Sequence, residues 1–354
     1  LYIRSNLTGL HLFVQDGLIS VLDRLLLIII CSVLLWGGVT NQPFQIEWFI
    51  YAQTLSYGFT LLTCFVLVLL KTSQFKLQWH PAFSIIILKH SFPYALLILL
   101  MTVYYRIDSV MLERMLDDNS TQAGIYAQAY RFFEASNMFA YLFAGLLLPI
   151  FSRMLKNKES VVELVDFAFK TLMSFAFIIA IFCCFYNYQI IDFRYDNYIM
   201  ESSVILQLLM ICFLFISSTY IYGTLLTANG NLYYLNIVAG VGVVLNIVLN
   251  LILIPKYYAF GSAIASLITQ ALTGLVQLLI CISIFELNLQ KSFLRLLVFV
   301  LGLITFCVFL NYLLPFSYYH VILYIVFSIS WLFITRLINW SDFNLLLENR
   351  FKIK

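Results

Sequence analysis

Tyr126, Tyr130, Glu134, Asn137 and Tyr141 follow one another at intervals of four, four, three and four. At 3.6 residues per turn these positions share one helical face, in a stretch otherwise rich in Ala, Leu and Phe. Arg131 lies three residues before Glu134, within reach of its carboxylate. A guanidinium in a low-dielectric setting offers paired N–H donors that suit a phosphate. The carboxylate beside it can orient it or carry a proton. The alternative is a pair that satisfies only itself, or an arginine that snorkels to the headgroups from about 10 Å below the surface. A second group is Tyr104, Tyr105, Arg106, Ile107 and Asp108. Arg106 and Asp108 are two residues apart and point to different sides of a helix, so each needs its own partner or water. Asn246 and Asn250 share a face with Asn236, Gly240 and Val243, and Ser262, Ser266, Thr269, Thr273 and Gln277 follow at similar spacing. Such small, weakly polar faces let membrane helices approach and hydrogen-bond, and they can also line a cavity.

Other chemistry is poorly represented. The four histidines, His11, His80, His90 and His320, form no HxxxH or HExxH pair. His11 and Asp16 fit HxxxxD, a pattern of some acyltransferases, but two fixed residues recur easily by chance. There is no phosphate-binding glycine loop of the GxxxxGK[ST] kind. The seven cysteines lie inside apolar runs with no CxxC pair, and read as small buried hydrophobes. No metal site and no cofactor are expected.

The elements that must carry these residues follow from composition. Of 354 residues, 20 are Lys or Arg and 17 Asp or Glu, so 37 are charged, and 63% are hydrophobic. Mean hydropathy is +0.96. The charged fraction, 10%, compares with a usual ~25%. That excludes a soluble enzyme, a disordered chain and a nucleic-acid binder. An all-α integral membrane protein remains, because a membrane helix needs about 20 mainly apolar residues. Ten such runs are present, near 18–36, 47–70, 84–105, 124–150, 163–187, 203–228, 233–254, 260–285, 293–313 and 319–338. Their length and continuity exclude a transmembrane barrel.

Alternating the ten spans from an inside N-terminus puts only Arg106, Arg114, Arg131, Arg194 and Lys256 outside. The other fifteen of the twenty positive residues lie inside. This asymmetry predicts cytoplasmic N- and C-termini. Trp36, Trp48, Tyr104, Tyr186, Tyr257 and Tyr319 fall near outer helix ends, where their rings suit the headgroup zone. The chain starts at Leu1 and shows no charged segment with a following cleavage site, so a missing N-terminus is expected rather than a signal peptide. Charge within a span costs at least ~2.5–3.5 kcal/mol, so the groups above are functional candidates.

Three stretches, YYRIDSVML (Tyr104 to Leu112), AGIYAQAYRFFEA (Ala123 to Ala135) and LLPIFSRM (Leu147 to Met154), together resemble the Wzx-type polysaccharide flippases. So do LLTANGN (Leu225 to Asn231), VLNIVLNLILIPKY (Val244 to Tyr257) and GSAIAS (Gly261 to Ser266). These flippases belong to the multidrug/oligosaccharidyl-lipid/polysaccharide exporter superfamily. The resemblance covers about 85–280. It implies a two-lobed transporter of which this chain holds a truncated first lobe. Residues 1–75 would be the last two helices of that lobe, 84–286 a complete six-helix second lobe, 293–340 two extra helices and 341–354 a basic cytoplasmic tail.

The substrate implied by the resemblance is an undecaprenyl-pyrophosphate-linked oligosaccharide. It would be moved from the cytoplasmic to the outer leaflet of the bacterial inner membrane by alternating access. Membrane lipids and a coupling H⁺ or Na⁺ are the other expected partners, with a monomer as the transport unit and no nucleic acid. The implied cavity residues are Arg131, Glu134, Tyr130, Tyr126, Asn137, Arg106, Asp108, Asn246 and Asn250, with Arg131 on the pyrophosphate. A drug/cation antiporter would want deep acidic residues and little cationic surface. A lipid II flippase is chemically closer still. A membrane polymerase would carry a large outer loop with catalytic arginines, and an acyltransferase has only His11 and Asp16 to offer.

Overall fold

The computed structural model describes residues 13–37, 45–71, 81–116, 119–287, 290–313 and 317–337. His11, the HxxxxD histidine, and the basic tail 341–354 lie outside them. The described residues form ten α-helices in chain order: α1 (Phe13–Trp36), α2 (Ile46–Lys71), α3 (Pro81–Met115), α4 (Asn119–Lys156), α5 (Val162–Phe185), α6 (Asn187–Asp192), α7 (Ile199–Ala228), α8 (Leu232–Phe285), α9 (Gln290–Leu313) and α10 (Tyr318–Ile334). Among the described residues, eight of these are long and apolar enough to cross a membrane, and Tyr319–Ile334 is a shorter apolar helix.

Two of the ten expected spans are continuous in α8. Its 54 residues would run about 80 Å as one straight helix, far beyond a hydrocarbon core of about 30 Å. The chain reverses instead at Tyr258 (φ 53°, ψ −136°), a left-handed φ that L residues adopt at a cost. We call the arms α8a (232–257) and α8b (259–285). They lie against each other through small residues. A methyl added to Gly242 would meet Thr273 Cγ2 at 2.9 Å, and one added to Gly261 would collide with the Leu253 carbonyl. The backbone N–H of Ala259 donates to Gln122 Oε1 at the start of α4 (3.3 Å). Because a carbonyl cannot swing aside as a side chain can, Gly261→Ala is expected to destabilise the bundle by about 1–3 kcal/mol. A thermal melt of the detergent-purified protein checks this.

The chain divides into two compact units, Leu1–Ser84 and Ile85–Lys354. In the first, α1 packs on α2, with Ile19 and Cys64 buried beside Leu67 and Val68. Leu18, Ile28, Leu62 and Leu70 present an apolar outer surface, as helices in lipid require. In the second, α7 is the axis and packs against α4, α5 and α8, while α5 also carries α9. Leu206, Met210, Phe213 and Leu225 of α7 are fully enclosed. Two polar ties hold α9 and α10 to α5. Asp166 pairs with Lys170 and accepts from Ser292 Oγ. Tyr324 donates to the Ile178 carbonyl (2.9 Å).

Candidate functional site

The helix α3 continues past its apolar run through Arg106 and Asp108 to Met115, and the two-residue offset sends these side chains apart. Asp108 turns inward and is 3% exposed. Its Oδ1 accepts from Asn250 Nδ2 (2.7 Å). Its Oδ2 accepts from Tyr126 OH (3.1 Å) and from Ser266 Oγ. The second Asn250 N–H goes to Asn246 Oδ1 (3.0 Å). Asn246, Asn250 and Ser262 are wholly buried, and Asn246 Nδ2, Asn250 Oδ1 and Ser262 Oγ have no protein partner. One carboxylate from α3, one phenol from α4, two amides from α8a and hydroxyls from α8b thus converge inside the second unit. Three donors satisfy the buried Asp108 carboxylate, while polar atoms of Asn246, Asn250 and Ser262 are left without a protein partner.

Arg106 turns outward. Its Nη2 lies 3.3 Å from Glu134 Oε1, and the two side chains are 66% and 55% exposed. The polar stripe of α4 therefore splits along its length. Tyr126 is enclosed and stacks on Tyr130, with ring centroids 5.7 Å apart. Tyr130 donates to the Tyr105 carbonyl (3.1 Å). Asn137 Nδ2 donates to Tyr220 OH on α7 (3.5 Å). Glu134 and Tyr141 are exposed, and Tyr141 sets its ring edge-on to Tyr220.

The local spacing suggested an Arg131–Glu134 pair, and the structure corrects this. Glu134 pairs with Arg106, and no ion pair among the described residues includes Arg131. Arg106 takes the Glu134 carboxylate from the neighbouring helix instead. Arg131 stays on the exposed side of α4. The nine sequence candidates thus fall into two groups. Asp108, Tyr126, Asn246 and Asn250 form a buried cluster. Arg106, Glu134 and Arg131, with Tyr130 and Asn137 at their edge, form an exposed polar patch. Ser266, a packing position by its sequence pattern, is a partner of Asp108. The available hint was its position on the Ser262–Gln277 face of α8b.

Among the described residues no group of three or more His, Cys, Asp or Glu converges as a metal site would. Cys64, Cys183, Cys212, Cys281 and Cys307 are buried in the packing.

Residues 45–204 match the family model described as polysaccharide biosynthesis protein. Among curated proteins, none matches. Among solved structures, the lipid II flippase MurJ in its inward closed conformation is similar, with a TM-score of 0.59 and 17% identity. The match covers 92% of this chain and 67% of that one. The chain is a polytopic helical membrane protein, similar in fold to a lipid flippase and, over residues 45–204, to the polysaccharide biosynthesis proteins.

Proposed function

We propose that the protein is a flippase of the bacterial inner membrane. It moves undecaprenyl-pyrophosphate-linked oligosaccharide from the cytoplasmic to the outer leaflet by alternating access, with its termini cytoplasmic as the charge asymmetry favours. One observation carries this reading. The exposed Arg106–Glu134 pair sits far along helices whose neighbouring exposed positions are Val110, Met138, Phe139 and Leu142. Charge facing acyl chains is disfavoured by at least ~2.5–3.5 kcal/mol. In this reading that face of α3 and α4 borders water rather than acyl chains. Arg106 gives one N–H to Glu134 and keeps others, and Arg131 stands nearby, so two guanidiniums are available to a diphosphate. Sugars and phosphate cannot cross hydrocarbon unaided, and a cationic, hydroxyl-bearing surface open to one side at a time lowers that barrier.

The buried Asp108 cluster is separate from this surface, and we assign to it the coupling ion, H⁺ or Na⁺. In this reading 84–286 is the second lobe and 293–340 the extra helix pair.

The likeness to MurJ supports a second substrate, lipid II, which is also a polyprenyl diphosphate. Complementation separates the two. The full-length protein is expected to restore surface polysaccharide to a strain lacking its polysaccharide flippase, and not to sustain a strain depleted of its lipid II flippase. The converse result would favour lipid II, and rescue of neither would remove both.

A further inference from the structure

One turn from the Asp108 cluster lies a cavity of about 30 Å³, within the second unit, bordered by α3, α7, α8a and α8b. That is room for about two water-sized particles. Its polar side is Tyr104, Thr219, Gln270, Thr273 and Gln277, and Leu100, Met101, Val238 and Gly242 are on its apolar side. Three polar atoms in this wall, Tyr104 Oη, Thr219 Oγ1 and Gln277 Oε1, are buried without a protein partner. Leaving a buried polar atom unpaired is costly, and native proteins keep such atoms where water or an ion serves them.

The position of the cavity follows from three equal steps. Tyr104 is four residues before Asp108 on α3. Gly242 is four before Asn246 on α8a. Gln270 is four after Ser266 on α8b. The arms of α8 run in opposite senses, so all three steps lead the same way, about 6 Å from the carboxylate. Gln277, seven residues beyond Gln270, extends the series by about 10 Å more. It points toward the end of the bundle where α8a begins and α8b ends. Gly223 keeps this stretch open, because a methyl there would meet Gln277 Oε1 at 3.1 Å. Phenol, hydroxyl and amide oxygens are the ligands a hard monovalent cation or a hydrated proton accepts in place of bulk water.

We propose that this cavity and its polar wall are the hydrated path by which H⁺ or Na⁺ passes between Asp108 and the α8a-start end of the bundle. The inference rests on the coupling role given to Asp108, and the test keeps the two apart. It uses the full-length protein in vesicles, as wild type, as the double variant Thr219→Val/Gln277→Met, and as Asp108→Asn. Both changes in the double variant are close in volume and remove unpartnered atoms, so its thermal stability is expected to hold or rise.

Two quantities are read. One is the stabilisation of the purified protein by Na⁺ or by pH, which reports binding at equilibrium. The other is the initial rate of radiosodium or proton entry, which reports the path. The double variant is expected to keep the ion-dependent stabilisation of wild type and to admit the ion at least about tenfold more slowly. Asp108→Asn is expected to lose the stabilisation itself. Wild-type entry rates in the double variant would overturn the path and leave the role of Asp108 standing. Loss of ion-dependent stabilisation in the double variant would make these residues ligands rather than a path, and would overturn it too. Unchanged stabilisation and entry in Asp108→Asn would overturn the coupling role and the path together.

Discussion

Arg106→Ala in the full-length protein is expected to cut surface-polysaccharide export by roughly 10- to 150-fold at equal protein level. That range is the fold-equivalent of a charge-assisted hydrogen bond worth about 1.5–3 kcal/mol. The substitution removes one guanidinium from the exposed face of α3 and leaves Glu134 without the partner it has at 3.3 Å. A purely structural pair would give a similar loss, so the charge swap decides between the two. In Arg106→Glu/Glu134→Arg the pair is rebuilt with its ends exchanged. If the pair only ties α3 to α4, the swap restores export. If Arg106 meets a diphosphate, export stays low, because the cation now projects from the wrong helix. Arg131→Ala gives a second reading of the same face. It has no ion pair among the described residues and is exposed, so its loss should leave the melting temperature unchanged. Export should still fall by about tenfold. Full export would assign Arg131 to the lipid headgroups.

The second large effect is expected at Asp108. Asp108→Ala removes the acceptor for Asn250, Tyr126 and Ser266 in one step. Each orphaned buried donor costs about 1–3 kcal/mol. The melting temperature in detergent should therefore fall by roughly 5 °C or more, on a scale of about 2–4 °C per kcal/mol for a domain of this size. Asp108→Asn keeps the volume and one carbonyl oxygen, and is expected to insert and to melt closer to wild type. Transport that responds to a Na⁺ or proton gradient in wild type should lose that response in Asp108→Asn. A variant that still followed either gradient would place the coupling ion elsewhere. The two carboxylates thus make opposite predictions. Glu134 is exposed and its loss should spare stability, whereas Asp108 is central and its removal should not.

The helices were legible in the sequence because the apolar runs are long and their period is continuous. Their ends were less so. The apolar signal of α3 stops near 105, but the helix runs to Met115, because RIDSVMLERM sustains a helix without being hydrophobic. The stripe on α4 was legible for the same reason that a helix has faces. What periodicity cannot give is the neighbour that covers a face. Glu134 found its partner 28 residues back on α3 rather than three residues back on its own helix. Asp108 drew two of its three donors from 142 and 158 residues away. Asn246 and Asn250 read as cavity residues and Ser266 as a packing residue, because a small polar side chain looks the same whether it faces a methyl group, a cavity or a carboxylate. Only the reversal at Tyr258 brings them to one point.

That reversal also bears on how the protein enters the bilayer. Taken singly, α8a would carry Asn236, Asn246 and Asn250 into hydrocarbon with only the Asn250–Asn246 bond to satisfy them, and α8b would carry Ser262, Ser266 and Gln277. A single non-helical residue joins them, so insertion of either arm alone is expected to cost more than insertion of the pair as one helical hairpin. Its polar faces are turned inward, its apolar flanks (Val241, Val244, Leu251, Leu272, Leu279) outward, and the partition cost is met by the two arms together.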